Sequence, residues 1–225
     1  MCLWKRRILR TARMTAAFVF AMTSAGLHPP LSAAAEVVHL AVNDRHGVYQ
    51  LALAAILDAP TDDVRHIITD YAHIYRIDPS IVESRIMKAP DASVTRVRTL
   101  INDCVLFVCH PILRVEDVHE VGDNDIYSVV VPQLSNVRSG TEHWQIFPIG
   151  EKTRINYNST LQPDFYVPPL IGNPIIEEKI RAETLICFNN IERLAQIHSQ
   201  LRRAPDSTRK KVLAKRITQE RTNAN

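Results

Sequence analysis

The sequence predicts an α+β fold: a curved, seven-stranded antiparallel sheet wrapped around one long C-terminal helix, with two short helices after the first strand. Three observations carry this. β-rich segments follow one another between residues 81 and 161, separated by short turns, which implies antiparallel neighbours. A stretch with helical spacing lies just ahead of them, over residues 60–76. The run from residue 174 to 200 is the only segment long enough to cover the apolar face of such a sheet.

Each element has its own reason. Over residues 37–60, Tyr49, Leu51, Leu53, Ala55 and Leu57 alternate with Gln50, Ala52, Ala54 and Ile56, which reads as one mostly buried strand running into Asp58-Ala59-Pro60. Pro60-Thr61-Asp62-Asp63 supplies a cap and first-turn carboxylates against the helix dipole. Val64, Ile67, Ile68, Tyr71, Ile74 and Tyr75 then make one apolar face, ending near Arg76. Six strands follow, over residues 81–87, 94–101, 104–121, 126–131, 141–148 and 153–161, with Asn102-Asp103 as a turn. Arg114, Glu116, Asp117 and His119 give the long third of these a side that faces water. Residues 133–140 read as a polar loop, and 162–174 as a proline-broken one. In the last helix Ile176, Ile180, Cys187, Ile191, Leu194 and His198 form a stripe widened by Ile175, Ile186 and Ala195. Glu178, Arg181, Glu192 and Arg193 lie opposite.

Composition bounds the class. The chain has 225 residues, 46% hydrophobic and 23% charged, which excludes a disordered chain and a polytopic membrane protein. Six glycines are few against a usual ~7%, and disfavour propellers and Gly-rich phosphate-binding enzymes. Lys5, Arg6, Arg7, Arg10 and Arg13, the apolar run 14–27 and Ser32-Ala33-Ala34-Ala35 have the order of a secretory signal peptide, with cleavage expected after Ala35. The expected division is a signal peptide over 1–35, one domain over 36–201, and a basic tail over 202–225. The protein is expected to be periplasmic or secreted. Removing the five leader cations from a formal +3 leaves −2 on 36–225, with the positive charge gathered in the tail. That tail reads as solvated, and no nucleic-acid partner is expected. Of the remaining cysteines, Cys104 and Cys109 would stand roughly 16 Å apart on one straight strand at ~3.3 Å per residue, too far for a disulfide without a bulge. Three buried thiols, counting Cys187, are the alternative.

The order of elements resembles the START-like, or SRPBCC, superfamily with the helix-grip fold. This group includes polyketide cyclase/dehydrase-like, pollen-allergen-like and coenzyme Q-binding START-like proteins. The segments that carry the resemblance are ILDAPTDDVRHIITDY, WQIFPIGEKTRINYNSTLQPDF and the final helix with Ile191-Glu192-Arg193, together spanning about residues 47–200. The resemblance implies a cavity for an apolar ligand between sheet and helix. It does not imply a reaction.

The expected cavity residues are Phe107, Tyr127, Val129, Trp144, Ile146, Ile155, Tyr157, Ile180 and Cys187, with Arg138 or Arg154 to meet an acidic head group. Phe165, Tyr166, Leu170 and Ile171, in the apolar stretch 164–171, are the expected portal, with a transient membrane contact as one reading and packing onto the helix as the other. No nucleophile elbow, zinc-binding His-Glu pair, P-loop or dinucleotide fingerprint is present, so no cofactor and no catalytic residue are assigned. His66, Asp70 and His73 have metal-compatible spacing but read better as a solvated helix face, and no metal is expected. The function expected is binding or transfer of a lipid, sterol, quinone or polyketide-like molecule. The alternatives are a cyclase/dehydrase-type enzyme using Tyr127, His143 or Tyr157 as acid/base groups, and a coenzyme Q-binding-like chaperone. Oligomeric state is not legible.

Overall fold

A computed structural model describes residues 34–105, 108–164 and 173–207. It is an α+β fold with eight strands, one more than expected. The additional strand comes from residues 37–60, which form a hairpin and not a single strand: β1 (Glu36–Arg45) and β2 (Val48–Leu57) pair antiparallel. The turn falls on His46 (φ 57°) and Gly47 (φ 80°), both left-handed, the type I′ geometry that matches strand twist. The Gly47 N–H donates to Asp44 Oδ1 at 2.9 Å. On β2, Tyr49, Leu51, Leu53, Ala55 and Leu57 face inward as expected.

Helix α1 (Thr61–Ile68) follows, and a 3-10 helix (Tyr71–Arg76) completes the short pair. No side chain caps α1; Pro60 stands at the N-cap and its carbonyl accepts from the Val64 N–H at 3.0 Å. Then come β3 (Ile81–Met87), β4 (Thr95–Val105), β5 (Val108–Val121), β6 (Asp125–Val130), β7 (Val137–Ile149) and β8 (Lys152–Pro163). Asn102-Asp103 is not a turn but part of β4, and the chain reverses between Val105 and Val108. That reversal changes the cysteine geometry. Cys104 is disulfide-bonded, and the β4–β5 register sets Cys109 directly opposite it. The expectation of separation failed because it placed both on one straight strand. Residues 133–140 are likewise less loop-like than expected, since a 3-10 turn (Pro132–Leu134) leads at once into β7.

All neighbours are antiparallel, in the order β1-β2-β8-β7-β6-β5-β4-β3. Helix α2 (Asn173–Arg203) lies on the concave face. Leu53, Ala55, Leu57, Val64, Ile146 and Ile155 form the packed end of the core with Phe188, Ile191 and Ala195 of α2. The buried stripe of α2 is shifted from the expected one. Phe188 is 1% exposed, whereas Ile175 and Ile186 are exposed. Glu192, expected on the outer side, is buried because its Oε2 accepts the Asp58 N–H at 2.8 Å. Further ties run from Asn190 Nδ2 to the Ile77 carbonyl at 2.9 Å and from Arg181 to the Leu40 carbonyl at 3.0 Å. Buried Asp63 of α1 receives His198 Nδ1 at 2.7 Å and Arg202 at 3.0 Å, fastening the last turns of α2. No helix among the described residues is long and apolar enough to cross a membrane.

Candidate functional site

The concave sheet face and α2 do not close completely on one another. Between them lies a cavity of about 260 Å³. Its apolar walls come from Ile68, Ile74 and Ile77 of the helical pair, Val97 and Ile101 of β4, Val118 of β5, Ile126 of β6 and Ile180 and Phe188 of α2. An aromatic trio forms one side: Trp144 lies 4.2 Å from Tyr157 and 5.6 Å from Phe188 between ring centres. Trp144 and Tyr157 are register partners on β7 and β8, so their side chains share a face.

A polar cluster sits on the same concave face. Strand alternation places Arg114, Glu116 and Val118 inward on β5, Ile126 and Ser128 inward on β6, and Glu142 and Trp144 inward on β7. The register pairs Val118 with Ser128 and Ser128 with Glu142, which brings these groups together. Arg114 Nη1 donates to Glu142 Oε1 at 2.8 Å, and Trp144 Nε1 donates to Glu142 Oε2 at 3.3 Å. Ser128 Oγ donates to Glu116 Oε1 at 3.3 Å. Arg114 Nε lies 3.1 Å from Glu116 Oε2 but outside hydrogen-bond geometry, so it is a buried donor without an acceptor.

The electrostatics follow from this crowding. Burial pushes the Glu116 carboxyl up to about 7; the Glu142 carboxylate adds to the rise, while Arg114 and Ser128 oppose it. Burial works against the Arg114 charge, but Glu116 and Glu142 outweigh it and hold the guanidinium firmly protonated. Burial also raises the Tyr157 phenol well above its ordinary range. The Cys187 thiol is raised by burial and then by Asp78, which makes it a poor nucleophile. Chemically, the site offers one carboxyl that exchanges a proton near neutrality, within a buried polar cluster set in apolar walls.

Of the residues expected around the cavity, Trp144, Tyr157, Ile180 and Cys187 line it. Ile146 and Ile155 are on the same face but fully buried in the packed end. Four others point elsewhere. Tyr127 and Val129 are on the outer face of β6, because the register pairs Ile126, not Tyr127, with Trp144. Tyr127 packs edge-on against His143 instead, and His143 bonds Asp125 at 2.9 Å, so neither reaches the cavity as an acid/base group. Arg154 is exposed, since it neighbours inward Ile155 on a regular strand and cannot share its face. Arg138 is the second residue of β7 and is exposed, paired with Asp164 at 2.8 Å. Phe107 and the portal residues Phe165, Tyr166, Leu170 and Ile171 lie outside the described residues. His66, Asp70 and His73 do not share a helix face. The helix breaks after Ile68, Asp70 bonds His73 at 2.6 Å, and His66 stacks on His198 at 4.2 Å. No group able to hold a metal occurs among the described residues.

Sequence reading missed Arg114, Glu116, Ser128 and Glu142, and it placed Arg114 and Glu116 toward water. Asp117 and His119 do take the outer side of β5; Arg114 and Glu116 do not. A signal for Glu142 was present, because it lies two residues before Trp144 and so shares its face.

No known family profile and no curated protein matches the chain. Solved structures match its fold. A START superfamily protein from Mycobacterium smegmatis superposes with a TM-score of 0.51 at 14% identity, over 64% of this chain and 98% of that one. An aromatase/cyclase from a Streptomyces species gives 0.54 at 14% identity, over 70% and 97%. A STAR-related lipid transfer protein fragment from Xanthomonas axonopodis gives 0.50 at 14% identity, over 68% and 98%. Superposition at this level shows that this chain shares the fold of these structures, the helix-grip arrangement, here an antiparallel sheet of eight strands curved around a long C-terminal helix.

Proposed function

We propose that the protein binds a small apolar molecule between its concave sheet face and α2, and carries or sequesters it outside the cytoplasm. The observation that carries this reading is the apolar-walled cavity of about 260 Å³. That volume is just under the ~300–1,000 Å³ usual for ligand pockets, which favours one ring system or one short chain over a two-chain lipid. Fold neighbours described as a lipid transfer protein and an aromatase/cyclase support an apolar ligand in general. Export is supported by the basic and apolar leader, and by the start of β1 at Glu36, so that cleavage after Ala35 leaves every described strand whole. The test is mass spectrometry of organic extracts from protein purified natively from the periplasm or medium, with its N-terminus sequenced. A stoichiometric apolar molecule and an N-terminal Glu36 are expected. A blank extract, followed by no change in Trp144 fluorescence across a panel of apolar compounds, would sink the binding reading. Protein found in the cytoplasm alone would sink export, and an intact leader on exported protein would sink cleavage after Ala35.

A second reading, an acid/base enzyme, is favoured by one observation: Glu116 holds its proton to about 7 in the same cavity as Tyr157. Turnover of a bound compound, lost in Glu116→Gln while binding persists, would establish it.

A further inference from the structure

The cavity walls carry Asp78, Glu116, Glu142 and Glu183 against one cation, Arg114, among the described residues. Glu183 is paired with Lys179, and Asp78 accepts from the Ser80 N–H and hydroxyl at 2.9 and 2.7 Å. Glu116 and Glu142 share the single guanidinium of Arg114, so that cluster has one carboxylate in excess when both are ionised. Resting on the ligand-binding reading, we propose that the polar end of the ligand is an ammonium: the cavity selects an apolar amine over an apolar acid of the same shape and seats its nitrogen against Glu116 and Glu142.

An acidic head group needs a cation, and the one available is already engaged twice. Drawing Arg114 away would leave a buried carboxylate uncompensated, a strongly unfavourable state. The unaccepted Arg114 Nε does not rescue an acid, because it lies 3.1 Å from Glu116 Oε2 and an anion bound there would crowd that oxygen. A neutral oxygen beside the ligand nitrogen fits at that point without the repulsion. An ammonium meets the opposite situation. Glu116 Oε1 has Ser128 Oγ, Glu142 Oε1 has Arg114 and Glu142 Oε2 has Trp144 Nε1, and each carboxylate oxygen accepts more than one hydrogen bond. The added positive charge also balances the excess carboxylate.

Binding of such a ligand is linked to protons. The titratable and charged groups that share the cavity with Glu116 are Arg114 on its own strand, Tyr49 of β2, Tyr71 of the 3-10 helix, Asp78 ahead of β3, Glu142 of β7, Tyr157 of β8, and Glu183 and Cys187 of α2, with the Ser128 hydroxyl of β6 beside them. Burial keeps Glu116 protonated to about 7, and a cation beside it favours the ionised form. Amine binding therefore expels a proton and tightens as pH rises through that range.

The experiment is calorimetric titration of the full chain with n-octylamine, n-octanol and n-octanoate at about pH 7, with the amine repeated near pH 6 and pH 8. Octylamine is expected to bind at least about tenfold more tightly than octanoate, a difference of about 1.4 kcal/mol, and to tighten several-fold from the lower to the higher pH. Glu142→Gln is expected to lower the amine-to-acid ratio by about tenfold; the wild-type ranking needs no variant to fold. Octanoate binding as tightly as octylamine, octanol binding more tightly than the amine, or amine affinity that falls with pH would each overturn the ammonium while leaving an apolar cavity. Failure of all three probes to bind would overturn both the ammonium and the ligand-binding reading.

Discussion

Replacing Phe188 by Ala tests the contact that holds helix and sheet together. The ring is 1% exposed and stands 5.6 Å from Trp144 and 5.9 Å from Tyr157. Deleting a buried phenyl costs about 3–5 kcal/mol through lost transfer free energy and the hole left behind. The value belongs in the upper half of that range, for two reasons. Each aromatic pair is worth ~0.5–1.5 kcal/mol beyond area. The new hole also opens into the existing cavity and cannot collapse while the hydrogen bonds of Asn190 and Glu192 hold α2 in place. About 4 kcal/mol corresponds to a fall in Tm of roughly 8–16 °C for a domain of this size. Urea unfolding followed by circular dichroism measures it, with the midpoint lowered and the slope unchanged. A loss below about 1 kcal/mol would refute the argument, because it would mean that α2 does not press Phe188 onto the concave face.

Three other outcomes are expected. The Asp63 carboxyl is pushed up by burial, but His198 and Arg202 outweigh this and hold it below its ordinary range. Its contribution to stability is therefore present above about pH 4 and lost as pH falls through the lowered folded-state value. Asp63→Asn should cost about 1–3 kcal/mol at neutral pH, nearer the low end because Arg202 is half exposed, and should flatten the acid limb of urea midpoints measured against pH. Glu116 is raised, so its contribution has the opposite sign: full below about pH 4.5 and lost as pH rises through about 7. Glu116→Gln should thus gain stability relative to the parent between about pH 5 and pH 8, and a constant difference across that range would contradict the raised carboxyl. Gly140→Ala would put a Cβ 2.8 Å from Val130 Cγ2 and 3.1 Å from the Thr160 carbonyl. A loss of about 1–3 kcal/mol is expected in the same unfolding assay, and no loss would show that β6 and β7 yield there.

The architecture was legible because it rests on periodicity. Leu51, Leu53, Ala55 and Leu57 alternate cleanly, and residues 174–200 can only be a covering helix. The first hairpin was not, because its turn is made by His46-Gly47 rather than a common Asn-Gly pair, and apolar residues continue on both sides. The cavity floor was harder still. On β6 both faces are rich in β-branched residues, so Ile126-Ser128-Val130 and Tyr127-Val129-Val131 compete equally for the inside. Register decides between them, and register is set by the turns that join β6 to β5 and β7, which periodicity does not show. Arg114 and Glu116 defeated the reading for a different reason. Charged residues on a strand ordinarily mark the wet face, and only their pairing with each other and with Glu142 allows them to face inward.

The order of the sheet also constrains how the chain comes to be folded. The second strand has the last strand as its inner neighbour, with Leu57 opposite Thr153 and Tyr49 opposite Leu161. The first strand is held in turn by the final helix through Leu40 and Asp44. A ribosome delivering this polypeptide from its N-terminus would therefore have to finish almost the whole of it before the opening hairpin found its partners. Such distant pairings close slowly. The opening hairpin therefore joins the sheet late, whereas the third to seventh strands, each paired with its neighbour in sequence, are free to assemble before it.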